Sequence, residues 1–133
     1  MSYLLDTDTC IYWLKGRPEV KERLQAVGLV QVAISVITVA ELYFGAYNSA
    51  CVDDNLTRAR AFVRQITVLP LDDVTLAAFG RLKAELRRQG QPLPDFDLLI
   101  SATALAQGCI LVTNNVRHYK RIPDLRLENW IAS

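Results

Sequence analysis

Four polar side chains lie at the edges of otherwise apolar segments, and their types suit metal and phosphate chemistry. They are Asp6, Glu41, Asp97 and Asn115. The three acids offer hard carboxylate oxygens, which are the ligands that magnesium and manganese prefer. If they came together, each close pair would repel by about 4 kcal/mol at an effective dielectric constant near 20. Such a cluster therefore needs a cation, and its expected partner is a phosphate.

Asp6 follows directly on the apolar run of residues 3–5. Open α/β folds place their ligand crevice at the carboxyl ends of the strands, so this carboxylate is expected at such a crevice. Asp is also a common helix N-cap, and capping of a helix that begins at Thr7 explains the residue equally well. Both interpretations stay open for Asp6 taken alone.

Glu41 is the only charged residue between Val32 and Tyr47. The apolar spacing predicts a helix whose core-facing stripe consists of Val36, Ala40, Tyr43, Phe44 and Tyr47. Glu41 lies beside that stripe, where a partly desolvated carboxylate either protonates or finds a cation. A salt bridge to a surface arginine is the alternative.

Asp97 belongs to the opening turn of an apolar helix that starts near Asp95. Asp95 is expected to be the N-cap, which leaves Asp97 in the first turn, where the helix dipole favours negative charge. Capping alone would also explain both acids. Asn115 ends another strand-like run, where turn chemistry is the common reason for an asparagine and a metal or phosphate contact is the rarer one.

The remaining pattern predicts the framework that positions these groups. Short apolar runs at residues 3–5, 32–34, 68–69 and 110–112 are typical of buried parallel strands. Apolar residues at helical spacing lie between them, at Leu56, Ala59, Phe62 and Ile66 and at Leu76, Phe79, Leu82 and Leu86. This alternation predicts an α/β fold with a parallel sheet covered by helices on both faces.

Local signals mark the ends of two of these helices. Asp72 or Asp73 is expected to cap the helix that runs toward Gly90, and Gly108 is expected to end the helix before the last strand. Residues 90–94 contain two prolines and connect the two helices.

Bulk composition fits one compact domain over residues 1–133, because 51% of the residues are hydrophobic. No run reaches the roughly 18 to 20 apolar residues of a membrane span, and the start has no basic leader, so we expect a soluble, cytoplasmic protein.

Cys10, Cys51 and Cys109 match no zinc or disulfide pattern and are expected in the core. The net charge of +1 leaves any nucleic-acid role to local placement.

The chain resembles the PIN-domain nucleases, and within them the VapC-type toxins of type II toxin–antitoxin pairs. The resemblance rests on residues 4–11, 41–45, 97–106 and 111–115. It implies a PIN-like three-layer sandwich with a parallel sheet of about five strands. It also implies that Asp6, Glu41 and Asp97 form an acidic triad. Asn115 stands where the family often has a fourth acid, which argues against a fully occupied second metal site, and His118 is interpreted as a surface residue.

The resemblance further implies a magnesium-dependent endoribonuclease in which manganese can substitute. Asp6 and Asp97 would hold the metal, with Glu41 binding directly or through water and Asn115 orienting a water or the phosphate. Metal-activated water would then cleave RNA in line, leaving a 3′-hydroxyl and a 5′-phosphate. The RNA itself would contact Thr113, Asn114, Arg117, Lys120 and Arg121, although a solvated turn explains the three basic residues equally well.

Implied partners are a second copy of the chain, in a homodimer, and a cognate antitoxin whose C-terminal segment covers the active site. Candidates for the groove that receives this segment are Tyr12, Trp13, Tyr43 and Tyr47. Core packing is the alternative role for each of these aromatic residues.

Two other functions fit part of the pattern. A strand followed by Asp6-Thr7-Asp8 also occurs in haloacid-dehalogenase-like phosphatases, but there a lysine precedes a late acidic pair, whereas Asp72 and Asp73 precede Lys83. A PIN-like module that binds RNA without cutting it would carry the same three acids.

Overall fold

Five short strands form a parallel sheet in the computed structural model, which describes residues 2–131. In chain order the strands are β1 (Tyr3–Leu5), β2 (Val32–Ser35), β3 (Thr67–Leu69), β4 (Ile110–Val112) and β5 (Leu127–Glu128). Their spatial order is β3-β2-β1-β4-β5, and every neighbouring pair is parallel. The single-domain expectation for residues 1–133 includes residues 1, 132 and 133, which lie outside the described part.

Helices connect the strands, as parallel pairing requires. They are α1 (Thr7–Leu14), α2 (Pro18–Val27), α3 (Val36–Tyr47), α4 (Val52–Gln65), α5 (Asp73–Arg88), α6 (Asp95–Gln107) and α7 (Val116–Tyr119), with a 3₁₀ turn at Leu29–Gln31. None of those in residues 2–131 is long and apolar enough to cross a bilayer.

Two hydrophobic cores lie on opposite faces of the sheet. Leu4 of β1 belongs to the core that includes residues of α5, α6 and α7. The next residue, Leu5, points to the other face and belongs to the core that includes residues of α1 to α4. This alternation follows from the two-residue period of a strand. The predicted three-layer α/β sandwich with about five parallel strands is confirmed.

The sheet has a switch point at β1. The chain passes from β1 to β2 on one side and only later to β4 on the other. Leu5 is in register with Ile34 of β2 and with Val112 of β4, so the carboxyl ends of these three strands are level. Parallel sheets place their ligand crevice at such a point.

The predicted start of α5 and the predicted end of α6 are both confirmed. Asp72 caps α5, because its Oδ1 accepts a 2.9 Å hydrogen bond from the backbone N–H of Thr75. Gly108 ends α6 in the left-handed conformation at a φ of 68°, which glycine adopts without the steric cost of a Cβ.

Two predictions, one about α3 and one about α6, are wrong. On α3 the buried residues are Thr38, Leu42 and Ala46, not the predicted stripe. The members of that stripe are partly or largely exposed, with Val36, Ala40, Phe44 and Tyr47 among the exposed ones. Because α3 is apolar all round, its periodicity could not identify the inner face. Asp95 is also not the cap of α6, since Pro94 occupies that position without a side-chain hydrogen bond.

Two further apolar residues lie outside the core. Leu76 is exposed on α5, whose buried side is formed by Thr75, Ala78, Leu82 and Leu86. Cys51 is exposed, whereas Cys10 and Cys109 are buried as expected.

Candidate active site

A polar cleft of about 110 Å³ opens at the carboxyl edge of the sheet. Its lining residues are Asp6, Thr7, Asp8, Glu41, Asp97, Ile100, Asn115 and Tyr119. They come from the ends of β1 and β4 and from α1, α3, α6 and α7. The cleft therefore gathers acids that are distant in the sequence.

Asp6 lies deepest among the acids, with only 4% of its surface exposed. It is the N-cap of α1, and its Oδ1 accepts a 2.8 Å hydrogen bond from the backbone N–H of Thr9. Burial raises the pKa of Asp6 above its usual value, and the hydrogen bonds from Thr113 and Thr9 oppose this effect while the charge of Asp8 adds to it. The capping and cleft interpretations are thus both correct.

Thr113 connects Asp6 to the turn after β4. Its side chain is fully buried. The hydroxyl oxygen accepts a 3.0 Å hydrogen bond from the backbone N–H of Asn115, and the hydroxyl is also hydrogen-bonded to the Asp6 carboxyl group. One side chain thereby fixes the positions of a cleft acid and of the backbone that carries the cleft asparagine.

Glu41 projects from α3 and is half-buried. The Thr7 hydroxyl donates a 2.5 Å hydrogen bond to its Oε1, and the same hydroxyl lies 3.1 Å from the Thr38 hydroxyl. Thr38 is fully buried on the inner face of α3. The Glu41 carboxylate is therefore held toward the start of α1, beside Asp6.

Asp97 lies in the first turn of α6, as predicted. Its Oδ2 is 3.0 Å from His118 Nε2, and its carboxylate is also hydrogen-bonded to the Tyr119 hydroxyl. Burial raises the pKa of Tyr119 far above its usual value, and the negative charges of Asp97 and Asp6 raise it further. The tyrosine stays protonated and can donate a hydrogen bond.

The donor set fits a partly hydrated magnesium ion. Within residues 2–131, no three Asp, Glu, His or Cys side chains are drawn together tightly enough to enclose a metal. Magnesium does not require such a cage, because it usually binds one or two carboxylates directly and keeps several waters. An open cleft with Asp6 and Asp97 supplies hard oxygen ligands of this kind and room for water.

A sequence model of the PIN domain matches residues 3–125. The match includes strands β1 to β4, and it also includes every residue that lines the cleft.

The chain belongs to the PIN-domain family.

Several similar proteins of nearly the same length are named as VapC endonucleases or ribonucleases. The chain is 37% identical over 131 residues to the tRNA(fMet)-specific endonuclease VapC of Salmonella typhimurium, and the match covers 98% of both chains. It is 41% identical over 133 residues to ribonuclease VapC2 of Haemophilus influenzae, covering 98% of this chain and 99% of the relative. The crystal structure of DNA-bound VapBC from Salmonella typhimurium superposes with a TM-score of 0.93 at 36% identity over 98% of each chain. The expected membership of the VapC group is confirmed.

All four residues first singled out for chemistry line the cleft of this PIN domain, namely Asp6, Glu41, Asp97 and Asn115. Their catalytic and metal-binding roles remain predictions. Asp6 and Asn115 follow the two strands at the switch point, whereas Glu41 and Asp97 reach the cleft from helices.

The predicted RNA-contacting residues divide into two groups. Thr113 is fully buried and cannot touch RNA directly, so its predicted role is wrong and is replaced by its bonds to Asp6 and Asn115. The other four are exposed and remain predictions, namely Asn114, Arg117, Lys120 and Arg121. Asn114 Nδ2 donates a 2.9 Å hydrogen bond to the Tyr12 hydroxyl.

His118 is not the surface residue that the sequence suggested. Its side chain is 23% exposed and bonds to Asp97. Thr7, Asp8 and Tyr119 also line the cleft, although they were not predicted from the sequence as site residues. The Asp6-x-Asp8 spacing was a usable signal for Asp8, whereas Thr7 and Tyr119 match no pattern that separates them from ordinary helix residues.

A second, largely apolar groove of about 290 Å³ adjoins the cleft and shares Glu41 with it. Residues from α1, α3 and α4 line it, including Ile11, Leu14, Leu42 and Ala46.

None of the four aromatic residues proposed for the antitoxin groove lines this apolar groove, and their role in binding the antitoxin stays a prediction. Trp13 is partly buried and packs edge-on against the core residue Phe62, with ring centroids 4.8 Å apart. Tyr43 lies under the guanidinium group of Arg60. Tyr47 is exposed.

The phosphatase alternative finds no support in this geometry. Asp72 caps α5, and Lys83 forms a 2.9 Å ion pair with Asp95. None of these residues lines the cleft that contains Asp6.

Proposed function

We propose that this PIN-domain protein is a magnesium-dependent endoribonuclease that acts as the toxin of a toxin–antitoxin pair. The observation that carries the proposal is the meeting of Asp6, Glu41 and Asp97 in one polar cleft at the switch point of the sheet. Full-length relatives named as VapC ribonucleases support the assignment of the reaction.

Asp6 and Asp97 would hold the metal, and Glu41 would bind it directly or through a water. A bound magnesium ion polarises a phosphate oxygen and lowers the pKa of a water bound to it. Manganese prefers the same oxygen ligands and could take its place. Thr9 and Thr113 fix the Asp6 carboxylate, and Thr7 fixes that of Glu41. These bonds keep the acids oriented before substrate arrives.

Asn115 would orient the attacking water or the phosphate through its side-chain amide. Its backbone is anchored by Thr113, so the amide extends from a fixed point at the rim of the cleft. An amide adds no negative charge, and it therefore does not increase the repulsion of an approaching phosphate.

The exposed basic residues around α7 would hold the RNA backbone. Arg117 lies on α7, and Lys120 and Arg121 follow it directly. The same short helix contributes Tyr119 to the cleft. Phosphates bound by these side chains would lie next to the acids, and contacts of this kind give affinity without sequence preference.

The antitoxin would lie along the apolar groove that adjoins the cleft. This groove shares Glu41 with the acid cleft, so a peptide segment placed in it would end beside the catalytic groups. Similar solved structures are described as VapBC complexes, which supports a partner of this kind. A homodimer is also proposed, and sedimentation equilibrium of the purified chain would test it.

RNA cleavage by the purified protein tests the proposed function. Wild type should cut total cellular RNA in magnesium but not in EDTA, and Asp97→Asn should leave the RNA intact. Asp95→Asn is the matched control, because Asp95 lies two residues away, pairs with Lys83 and does not line the cleft. RNA that stays intact with folded wild type in magnesium would favour the non-cleaving module instead.

A further inference from the structure

We propose that His118 and Tyr119 act together as positioning residues that fix the Asp97 carboxylate for metal binding. The proposal rests on the proposed function, because it assigns to Asp97 a role as metal ligand. It goes further by naming two neighbouring side chains of α7 that would set the affinity of the site.

Both side chains reach the same carboxylate from one short helix. His118 Nε2 lies 3.0 Å from Asp97 Oδ2, and the Tyr119 hydroxyl is hydrogen-bonded to the Asp97 side chain. Asp97 is 21 residues away in the sequence, on α6. The two bonds therefore join separate elements across the cleft.

The two donors are held rigidly with respect to each other. Tyr119 is 4% exposed and belongs to the core formed with α5 and α6. The rings of His118 and Tyr119 meet edge to face, with centroids 5.1 Å apart and an interplanar angle of 89°. A buried tyrosine hydroxyl needs a hydrogen-bond partner, and here that partner is the carboxylate.

The exposed ion pair between Lys83 and Asp95 provides a comparison for the contact between His118 and Asp97. The side chains of Lys83 and Asp95 are 46% and 56% exposed, and such pairs contribute little. The side chains of His118 and Asp97 are only 23% and 31% exposed. The bonds to Asp97 are thus less accessible to water, which suits a role in restraining the rotation of the carboxylate.

Hydrogen bonds from such supporting side chains orient metal-binding carboxylates, and their loss typically lowers metal affinity by about 10-fold to 100-fold. Removal of either donor here should leave Asp97 in place with one hydrogen bond fewer to restrain its carboxylate. We expect the affinity for the metal to fall even when no RNA is bound.

Manganese titration followed by electron paramagnetic resonance tests this without RNA. His118→Leu and Tyr119→Phe should each weaken Mn²⁺ binding by about 10-fold. His118→Gln should stay within about threefold of wild type, because its amide places an N–H donor near the position of Nε2. Tyr3→Phe is the matched control, since Tyr3 lies at the amino end of β1, away from the cleft, and packs at a tilted angle against Trp130.

The single histidine of the chain allows a direct spectroscopic check. Long-range ¹H–¹⁵N spectra of the metal-free protein should show a proton on Nε2 of His118, as donation to Asp97 requires. A histidine protonated only at Nδ1 would overturn its part in the proposal.

The outcomes separate this proposal from the proposed function. Mn²⁺ affinities of His118→Leu and Tyr119→Phe equal to wild type would overturn the positioning role while leaving RNA cleavage by wild type intact. A loss in His118→Gln as large as that in His118→Leu would overturn hydrogen-bond donation as its cause. Failure of wild type itself to bind Mn²⁺ would overturn both proposals.

Discussion

The Thr7 hydroxyl lies 2.5 Å from Glu41 Oε1 and joins the first turn of α1 to the middle of α3 across 34 residues of sequence. Glu41 is therefore oriented by the protein itself. The cleft holds its acids by hydrogen bonds from threonine, histidine and tyrosine side chains, and each of these bonds can be removed singly.

Thr7→Val should lower the rate of RNA cleavage by about 10-fold without unfolding the protein, because it removes the donor to Glu41 and keeps the side-chain shape. Single-turnover kinetics in magnesium would measure this. Thr7→Ser keeps the hydroxyl and should cleave at nearly the wild-type rate. A Thr7→Val enzyme as fast as wild type would show that Glu41 needs no such support.

Asp6→Asn should abolish cleavage and raise the melting temperature of the metal-free protein at neutral pH. Burial raises the pKa of Asp6, so ionisation of this carboxyl is less favourable in the folded than in the unfolded chain. Folding stability contributed by Asp6 is therefore lost as pH rises from its unfolded pKa to its folded pKa. Asparagine avoids this loss and can still cap α1.

Thermal melts in EDTA between acidic and neutral pH would measure the difference between Asp6→Asn and wild type. The difference should be smallest at acidic pH and grow as the pH rises. Added magnesium should stabilise wild type more than the variant. A variant that melts below wild type at neutral pH in EDTA would contradict the burial effect.

Thr113→Val should reduce the free energy of unfolding by about 1–3 kcal/mol, because it removes one of the hydrogen bonds to the buried Asp6 carboxyl and leaves the Asn115 N–H without the hydroxyl that accepts from it. Urea denaturation would measure the change. Thr113→Ser retains the hydroxyl and should lose less stability. A Thr113→Val variant as stable as wild type would show that these hydrogen bonds do not contribute to stability.

Lys120→Ala should raise the KM for RNA and leave kcat nearly unchanged if this side chain holds a phosphate. The slope of log affinity against log salt concentration should fall by about 1. Arg126→Ala is the matched control, because Arg126 donates to the carbonyl of Gly108 just before β4, at the opposite edge of the sheet. Identical salt slopes for Lys120→Ala and wild type would remove this residue from the RNA contact.

The sequence located the cleft acids better than it located their supports. Asp6 and Asn115 follow apolar strands, and parallel pairing brings such strand ends to one edge of the sheet. Asp97 could be placed in a first helix turn from its neighbours. The bonds from His118 and Thr7 could not be foreseen, since they span 21 and 34 residues and depend on how helices pack.

The spacing of apolar residues did not identify the buried face of the apolar helix α3. On α3, Phe44 and Tyr47 are exposed although they are large and apolar, while Thr38 is buried. Glu41 does lie beside the buried side of its helix, but that side is the one carrying Leu42. The fifth strand, β5, has only two residues, which is too short for any alternating pattern to show.

Anomalous diffraction from crystals grown with Mn²⁺ would show whether Asp6 and Asp97 bind one metal ion together. One strong manganese peak is expected in the cleft, within coordination distance of carboxylate oxygens of Asp6 and Asp97. A manganese peak bound only at other carboxylates, in a protein that still cleaves RNA, would contradict it.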